Sequence, residues 1–301
     1  MLNPNPNFLA FTGIGDAYLL PLEFLNKQKM DFFLLKENLL NFKGYQEHPV
    51  FHIGNGCYTD DTERCLANSH VLINNQKPFT KLMFADAYIN EFIRGGQRKG
   101  YANGFYNFLR GIKTGKEFLE KIKNDSVKNG ACMGVVPIGV LPNIHDVVEV
   151  AQIQASVTHN TPEGLFSAKV VALMSHFAFY TSEPLKNLKE YCLHLLPPKD
   201  VKNFGHIFIN IYDGKPISGK AIPTVHAALD ILGTQKSLKD ILIKIIHLGG
   251  DTDSAAAICM GIASNRYKNE ILPPFMFRDL ERKNYLLDIG KQLINKFSNS
   301  K

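Results

Sequence analysis

Two short acidic clusters are the residues of this sequence whose types and spacing could do chemistry. The first is residues 59–62 (TDDT) and the second is residues 249–254 (GGDTDS), and 190 positions separate Asp61 from Asp251. If one fold brings four carboxylates together, they repel one another unless a cation lies between them. Oxygen ligands from Asp, Thr and Ser suit hard ions such as Mg²⁺ or Mn²⁺ better than zinc. The pattern therefore favours a metal-dependent enzyme.

Helix capping is the alternative interpretation of both clusters. Thr59 could accept a hydrogen bond from a first-turn N–H, and the two aspartates after it would lie at the positive end of the helix dipole. The glycines of the second cluster could likewise form a tight turn into a helix. Both clusters, however, carry more acid than a cap uses. Asp251 and Asp253 could converge on one ion from the extended turn before a helix, and the alanines at 255–257 would let another backbone approach closely.

Composition narrows the class of protein. Apolar residues make up 45% of the 301 residues and charged residues 21%, which is typical of a soluble globular chain. The formal charge of +6 comes from scattered lysines, so we expect no nucleic-acid partner, and at most an attraction for an anionic ligand such as a nucleotide. Five cysteines without a CxxC pair favour reduced thiols.

Nothing in the sequence predicts a membrane or secretory segment. The first six residues lack the basic stretch of a secretory signal, and the most apolar stretch, 131–141, is short and contains Pro137. We therefore expect a cytoplasmic protein that does not associate with membranes and is a monomer, with export into a host cell left open.

Helical periodicity dominates the chain, so we predict an all-α fold. Residues 207–212 (IFINIY) are the best strand candidate, and this candidate is isolated. No long linker interrupts the sequence, so we predict one domain over residues 1–301 with a core at about 10–295. The predicted helical runs are 62–73, 79–93, 147–154, 167–180, 237–247 and 254–263.

Several motifs, in order along the chain, resemble those of the ADP-ribosylglycohydrolases. This family includes the dinitrogenase-reductase-activating glycohydrolase and the ADP-ribosylarginine and ADP-ribosylserine hydrolases. The resemblance covers residues 10–280, and a set of short motifs in order is far more specific than any one of them. The motifs are 13–17 (GIGDA) with 21–24 (PLEF), 58–62 (YTDDT), 129–133 (NGACM) with 137–139 (PIG), 158–160 (THN), 218–221 (SGKA) with 224–229 (TVHAAL), and 249–254 (GGDTDS).

The resemblance implies one compact domain of orthogonally packed helices with two Mg²⁺ or Mn²⁺ ions in a cleft. It places Glu23 on a mobile loop near the scissile bond and His159 beside the bound ADP-ribose. The implied metal ligands are Thr59, Asp60, Asp61, Asp251, Asp253 and Ser254. The implied cradle for the diphosphate is the backbone of Gly130, Ala131, Cys132, Met133 and Gly134.

Three positions depart from the family pattern. Ser254 replaces the usual Thr and keeps the hydroxyl, so metal binding should survive. Leu19 replaces a usual Gly, which affects the shape of the loop that carries Glu23. Gly134 replaces a common Arg, which removes a charge near the expected diphosphate site.

The implied reaction breaks a glycosidic bond through an oxocarbenium-like transition state. Two divalent ions could fix the ribose and activate a water, and a carboxylate must then handle a proton. Glu23, which is not needed as a primary metal ligand, is the first candidate, and Asp61 and Asp253 are the other candidate catalytic residues. Asp16 is expected to be structural, capping a helix or ordering the metal ligands.

The predicted function is therefore a divalent-metal-dependent hydrolase that releases ADP-ribose from a modified protein side chain, with arginine favoured over serine, or from a small acceptor. The partners would be ADP-ribosylated proteins or ADP-ribose-containing small molecules. Two alternatives stay open. One is a metal-dependent phosphohydrolase acting on nucleotide diphosphates, and the other is a catalytically silent ADP-ribose-binding relative.

Overall fold

A computed structural model describes residues 4–25 and 30–298 of the chain. Sixteen α-helices and several short 3₁₀ turns account for the regular structure of these residues, and they contain no β-strand. The helices are α1 Phe8–Leu19, α2 Met30–Leu40, α3 Asp60–Asn74, α4 Lys81–Arg94, α5 Asn103–Arg110, α6 Gly115–Lys121, α7 Ile144–Ala155, α8 Pro162–Tyr180, α9 Leu188–Leu195, α10 Pro198–Phe204, α11 His206–Ile209, α12 Ala221–Thr234, α13 Leu238–Leu248, α14 Thr252–Ala263, α15 Phe275–Arg278 and α16 Lys283–Ser298.

The centre of the domain is the pair formed by α1 and α14. Every residue of both helices is buried, as expected for helices whose surfaces are apolar or small all round. A Cβ atom on Gly15 would lie 2.4 Å from the carbonyl oxygen of Ala256, so the two backbones touch where they cross. This contact holds the polar groups of α1 and the N-terminus of α14 at fixed positions in the middle of the domain.

The start of α3 is fixed by a carboxylate from α1. Asp16 accepts hydrogen bonds from the backbone N–H and the hydroxyl of Thr59, at 3.0 Å each, and from the N–H and hydroxyl of Thr62, at 3.1 and 2.6 Å. Thr59 in turn accepts from the N–H of Asp61 at 3.4 Å. The predicted structural role of Asp16 is confirmed, with the detail that Asp16 caps α3 rather than its own helix. The site described below therefore begins from a rigid corner between α1 and α3.

The predicted helical runs are all found, with boundaries that differ by a few residues. They correspond to α3, α4, α7, α8, α13 and α14. The described residues form one compact domain, as predicted, and none of their helices is both long and apolar enough to cross a membrane.

The predicted strand at 207–212 is wrong. The chain forms the short helix α11 there, in which the N–H of Asn210 bonds to the carbonyl of His206 at 2.9 Å. Ile207 is buried, while Ile209 and Ile211 are exposed. Alternation of apolar residues cannot make a strand without a neighbouring strand to pair its backbone groups, and a single helical turn satisfies part of them locally.

Candidate active site

The two acidic clusters meet at the N-termini of α3 and α14. Carboxylate oxygens of Glu23, Asp251 and Asp253 all lie within 4.8 Å of one another. Asp61 is close enough to Asp251 that the two carboxylates raise each other's energy, and Asp251 contributes to the raised pKa of Asp61. The structure thus brings together the residues that 190 positions separate in the sequence.

Three carboxylate oxygens of this group lack a hydrogen-bond partner. They are the Oδ1 atoms of Asp61, Asp251 and Asp253, each buried and unpaired within the described part of the chain. Buried polar atoms in proteins are nearly always satisfied, so unpaired acceptors that converge require an explanation. A hard cation bound by these oxygens supplies one, and the residues present therefore fit the predicted divalent metal.

The second oxygen of two of these aspartates is held in place by the protein. Oδ2 of Asp251 accepts from the side-chain amide of Asn129 at 3.0 Å, and Oδ2 of Asp61 lies 3.2 Å from the Thr59 hydroxyl, whose one proton is shared between Asp61 and Asp16. The Ser254 hydroxyl lies close enough to lower the pKa of both Asp61 and Asp251. These contacts orient the carboxylates and leave one oxygen of each free for a cation.

Helix capping does not account for the second cluster. Asp251 occupies the N-cap of α14, and the backbone N–H of Ser254 lies near enough to lower its pKa, but no capping hydrogen bond of normal geometry forms and Oδ1 stays unpaired. Gly249 and Gly250 have φ of 69° and 88°, which is the left-handed region that favours glycine. A Cβ on Gly250 would lie 2.1 Å from the carbonyl oxygen of Ile217, so the turn before Asp251 is possible only with glycine. The turn directs Asp251 toward Glu23 and Asp253 instead of toward the end of the helix.

Burial and mutual repulsion disfavour the charged form of these acids. Burial, followed by the charges of Asp251, Asp60 and Asp16, raises the pKa of Glu23 to about 9. Burial and the neighbouring Asp16 raise the pKa of Asp60 to about 8, although Arg64 opposes this. The pKa of Asp253 is raised by burial first and then by Glu23, Asp61 and Asp251. A bound divalent cation would reverse these shifts because it stabilises every nearby carboxylate.

Glu23 lies on the loop that follows α1. Next to it, the N–H of Phe24 donates to the carbonyl of Gly250 at 2.9 Å, and His48 Nε2 lies 3.2 Å from the carbonyl oxygen of Glu23. Phe24 has a φ of 47°, an unusual conformation for a large side chain. Leu19, the departure noted before this loop, is buried, and its carbonyl accepts from the Thr252 hydroxyl at 2.8 Å. The loop is therefore attached through Phe24 to the turn before α14, and the end of α1 is attached through Leu19 to the first residue of α14.

The predicted and observed ligand groups overlap but are not the same. We expected Glu23 to act on a proton without being a primary ligand, whereas its carboxylate shares one possible cation site with Asp251 and Asp253. Asp60 and Asp61 are adjacent but are not part of that three-carboxylate group, and the hydroxyls of Thr59 and Ser254 lie beside these acids. The structure therefore makes Glu23 a possible ligand, and the other assignments stay predictions.

The loop at 130–134 presents its backbone, and its carbonyl groups are directed inward. The Gly130 carbonyl accepts from Arg64 Nη2 at 3.3 Å, the Ala131 carbonyl from Gln154 at 2.6 Å, and the Gly134 carbonyl from Asn68 at 2.7 Å. The side chains of Ala131, Cys132 and Met133 are buried. The N–H groups of Cys132 and Met133 donate to the carbonyl of Asn129, at 2.8 and 3.1 Å. Since α3 and α7 hold the carbonyl groups, ligand binding at this loop would depend on its remaining backbone N–H groups.

Arg64 is a residue of this site that the sequence analysis missed. We expected Gly134 to leave the loop without a positive charge, but the Arg64 guanidinium from α3 occupies that region and bonds to Gly130. A Cβ on Gly134 would lie 2.5 Å from the Cβ of Arg64, so Gly134 permits the close approach of α3. An arginine three residues after Asp61 was the available signal, although nothing in the sequence shows that its side chain turns inward.

His159 lies against the same loop, and its position beside bound ADP-ribose stays a prediction of the resemblance. Its ring is 8% exposed, and a Cβ on Gly130 would come within 3.1 Å of its Nε2 atom. Asn129, at the start of the loop, bonds to Asp251. The acidic group, the loop and His159 are therefore parts of one connected site.

The fold and the site together define a helical protein with a candidate hard-cation centre beside a glycine-containing backbone loop. The sequence model of the ADP-ribosylglycohydrolase family matches residues 12–301, and the chain belongs to this family. Membership supports a glycohydrolase activity and substrates that carry ADP-ribose.

Two relatives cover almost the whole chain. An uncharacterized protein of Archaeoglobus fulgidus is 23% identical over 303 residues, which span 95% of this chain and 94% of that protein. The solved structure of an ADP-ribosylglycohydrolase-related protein complex has a TM-score of 0.71 and 20% identity, and covers 96% of this chain and 97% of that one. At this identity, the similarity to the solved structure shows a shared fold.

Proposed function

We propose that the protein is a divalent-cation-dependent hydrolase that cleaves the glycosidic bond between ADP-ribose and an acceptor. The observation that carries the proposal is the convergence of Glu23, Asp251 and Asp253 with the unpaired Oδ1 atoms of three buried aspartates. Family membership supplies the class of reaction, and the acidic group supplies a reason for cation dependence.

Asp61, Asp251 and Asp253 would hold the cations, with Thr59, Asp60, Ser254 and Glu23 completing the coordination. When bound, Mg²⁺ or Mn²⁺ would fix the ribose hydroxyls and lower the pKa of a bound water. The protein supplies the orientation, because Thr59 and Asn129 each hold one oxygen of a ligand carboxylate.

The remaining residues would bind ADP-ribose and handle a proton. The ring of His159 and those N–H groups of the loop 130–134 that do not already donate to Asn129 would receive the diphosphate, since anions bind best where several donors converge. Glu23 would position the attacking water or take up its proton, because its carboxyl lies beside the candidate cation site and a bound cation favours the ionised form.

We expect arginine-linked ADP-ribose to react faster than serine-linked ADP-ribose. The guanidinium group of an arginine-linked substrate is positively charged before the bond breaks, and the site places the carboxyl of Glu23 next to two aspartates. A serine hydroxyl would gain no such attraction.

The test is release of free ADP-ribose from arginine-, serine- and O-acetyl-linked substrates in Mg²⁺, in Mn²⁺ and in EDTA. The double variant Asp60→Ala, Asp61→Ala should lower the rate at least about a hundredfold, since metal sites contribute several kcal/mol to such reactions. Asp288→Ala, which removes an exposed carboxylate of α16, is the control and should match the wild type.

Two outcomes would contradict the proposal. AMP as the product in place of ADP-ribose would show cleavage of the diphosphate and so a phosphohydrolase. Binding of ADP-ribose without release from any substrate, with or without metal, would show a protein that recognises the ligand and does not hydrolyse the bond.

A further inference from the structure

A buried arginine lies behind the loop 130–134 without a carboxylate partner. Arg64 is 4% exposed, and it forms no ion pair within the described ranges 4–25 and 30–298. Its guanidinium carbon lies 3.7 Å from the centre of the Tyr88 ring, and its Nε atom has no acceptor. Burial of an arginine is costly unless the side chain performs a task that needs its charge or its geometry.

The hydrogen bonds of Arg64 lead to His159. Arg64 Nη2 donates to the carbonyl of Gly130 at 3.3 Å and to the Thr158 hydroxyl at 3.2 Å. Oγ1 of Thr158 also lies 2.7 Å from Nδ1 of His159. The guanidinium therefore bonds to the loop through Gly130 and to the residue before His159 through Thr158.

The direction of these hydrogen bonds follows from which groups can donate. A guanidinium only donates, so Thr158 must accept from Arg64. A hydroxyl oxygen can accept twice, so the direction of the second bond rests on the Thr158 proton, for which His159 Nδ1 is the acceptor that the structure gives among the described residues. An Nδ1 that accepts is unprotonated, so the neutral ring carries its proton on Nε2.

The neutral form agrees with the surroundings of the ring. Burial, followed by the positive charge of Arg64, lowers the pKa of His159 to about 3. The Nε2 atom lies next to Gly130, and a Cβ at that position would be 3.1 Å from it. An Nε2–H group at this edge would donate toward a ligand on the loop.

We propose that Arg64 is a positioning residue that acts through Thr158 to hold His159 as the neutral Nε2–H tautomer, while its bond to Gly130 keeps the loop in register with that donor. The ligand class that this arrangement recognises is an anionic oxygen, such as a phosphate oxygen of ADP-ribose. The recognition half of this inference rests on the proposed function, and the tautomer half does not.

The experiment compares Thr158→Val, which removes the hydroxyl and keeps the shape, with Thr158→Ser, which keeps the hydroxyl. Thr12→Val is the matched control, because Thr12 is buried and its hydroxyl bonds only within α1, to the carbonyl of Phe8. The full chain, labelled with ¹⁵N-histidine, is examined by ring NMR, and a His159→Gln variant assigns the signal. Affinity for ADP-ribose is measured by calorimetry on the same proteins.

In the wild type, in Thr158→Ser and in Thr12→Val we expect a single His159 form with Nε2 protonated. In Thr158→Val we expect a mixture of the two tautomers and about tenfold weaker binding of ADP-ribose, since a fixed donor to an anion is lost. Arg64→Met should reproduce the mixture, because the Thr158 hydroxyl is then free to rotate.

Three results would overturn the proposal. The first is a wild-type ring protonated on Nδ1, and the second is a Thr158→Val protein whose tautomer and affinity are unchanged. The third is weakened binding in Arg64→Met alone, which would mean that Arg64 meets the ligand directly. If the wild type does not bind ADP-ribose at all, the proposed function fails, and the NMR signal still decides the role of Arg64.

Discussion

Two groups of buried carboxylates flank the start of α3, and only the first has a positive charge from the protein beside it. In the first, which we call the Glu63 network, the fully buried Glu63 accepts from Arg98 Nε at 2.6 Å and from the Tyr101 hydroxyl at 2.6 Å. Arg98 also pairs with Glu281 and donates to the Tyr58 carbonyl at 2.9 Å. The second is the acidic group of Glu23, Asp61, Asp251 and Asp253. The neighbours of these carboxylates are other acids or neutral donors such as Asn129.

The comparison separates buried charges that stabilise the fold, which are paired within the protein, from buried charges that serve a binding site, which are not. The Glu63 network is complete within the chain, so its purpose is to attach the loop containing Arg98 to the start of α3. The acidic group is incomplete, because unpaired oxygens remain on three aspartates. A buried charge without an internal counter-charge indicates a site that binds one from outside. The Arg98 side chain is 9% exposed, so this charge belongs to the fold.

Removing the counter-charge of the network should have the largest effect. Arg98→Ala would leave Glu63 buried and unpaired, and we expect it to lower the free energy of unfolding by about 3 to 5 kcal/mol. Chemical denaturation measures this. Arg110→Ala removes an exposed arginine and should change the value by less than about 0.5 kcal/mol. An equally small change in Arg98→Ala would show that the network does not stabilise the fold.

Adding a cation should stabilise only the acidic group. At a hundred times its dissociation constant, Mn²⁺ should raise the free energy of unfolding of the wild type by about 2.7 kcal/mol. Asp251→Asn keeps an acceptor for Asn129 and removes one charge, so it should be more stable than the wild type in EDTA and gain little from Mn²⁺. A full Mn²⁺ response in this variant would mean that Asp251 is not a ligand.

The pH dependence of the metal-free protein should separate the two groups. Glu23 has a pKa of about 9 when folded against an ordinary value of 4.5, so the folded state keeps a proton that the unfolded state has lost, and stability falls as pH rises between these values. Burial raises the pKa of Glu63 to about 7, although Arg98 opposes this. The Glu63 network therefore contributes to the pH dependence of stability only below about pH 7.

Between pH 7 and pH 9 we therefore expect a loss of about 2 kcal/mol in EDTA from Glu23. Saturating Mn²⁺ should abolish this loss, and denaturation at a series of pH values measures it. A flat profile in EDTA would mean that the carboxylates are already ionised without a cation.

The outer part of the Glu63 network should matter least. The Glu281 side chain is 31% exposed, so Glu281→Gln should cost less than about 1 kcal/mol. The ratio of its effect to that of Arg98→Ala, measured by the same denaturation, shows how far burial sets the strength of a charge pair. Equal effects in the two variants would contradict a network centred on Glu63.

The sequence was sufficient for six of the helices and for the convergence of the two acidic clusters. Helices such as α4 and α13 follow from local periodicity, and excess acid at two helix starts indicated a shared site. Glu23 as a possible ligand was not predictable, because its position depends on the loop that the Gly249–Gly250 turn fixes through Phe24.

Arg64 and Arg98 show why long side chains were harder to place. Each looks like an exposed basic residue in the sequence, yet each side chain is buried because a neighbouring element offers it acceptors. For Arg64, the close approach permitted by Gly134 decides the outcome. Such contacts join residues that are far apart in the chain, and no local pattern encodes them.

The contact between Gly15 and Ala256 has a consequence for the order in which the molecule can form. These residues are 241 positions apart, so during synthesis α1 leaves the ribosome long before α14 exists. Until then, one side of α1 has no partner, and Asp16 and the first aspartates face no second cluster. The centre of the protein is therefore closed late, and a nascent chain that stops before residue 251 has neither its core pair nor half of its acidic group.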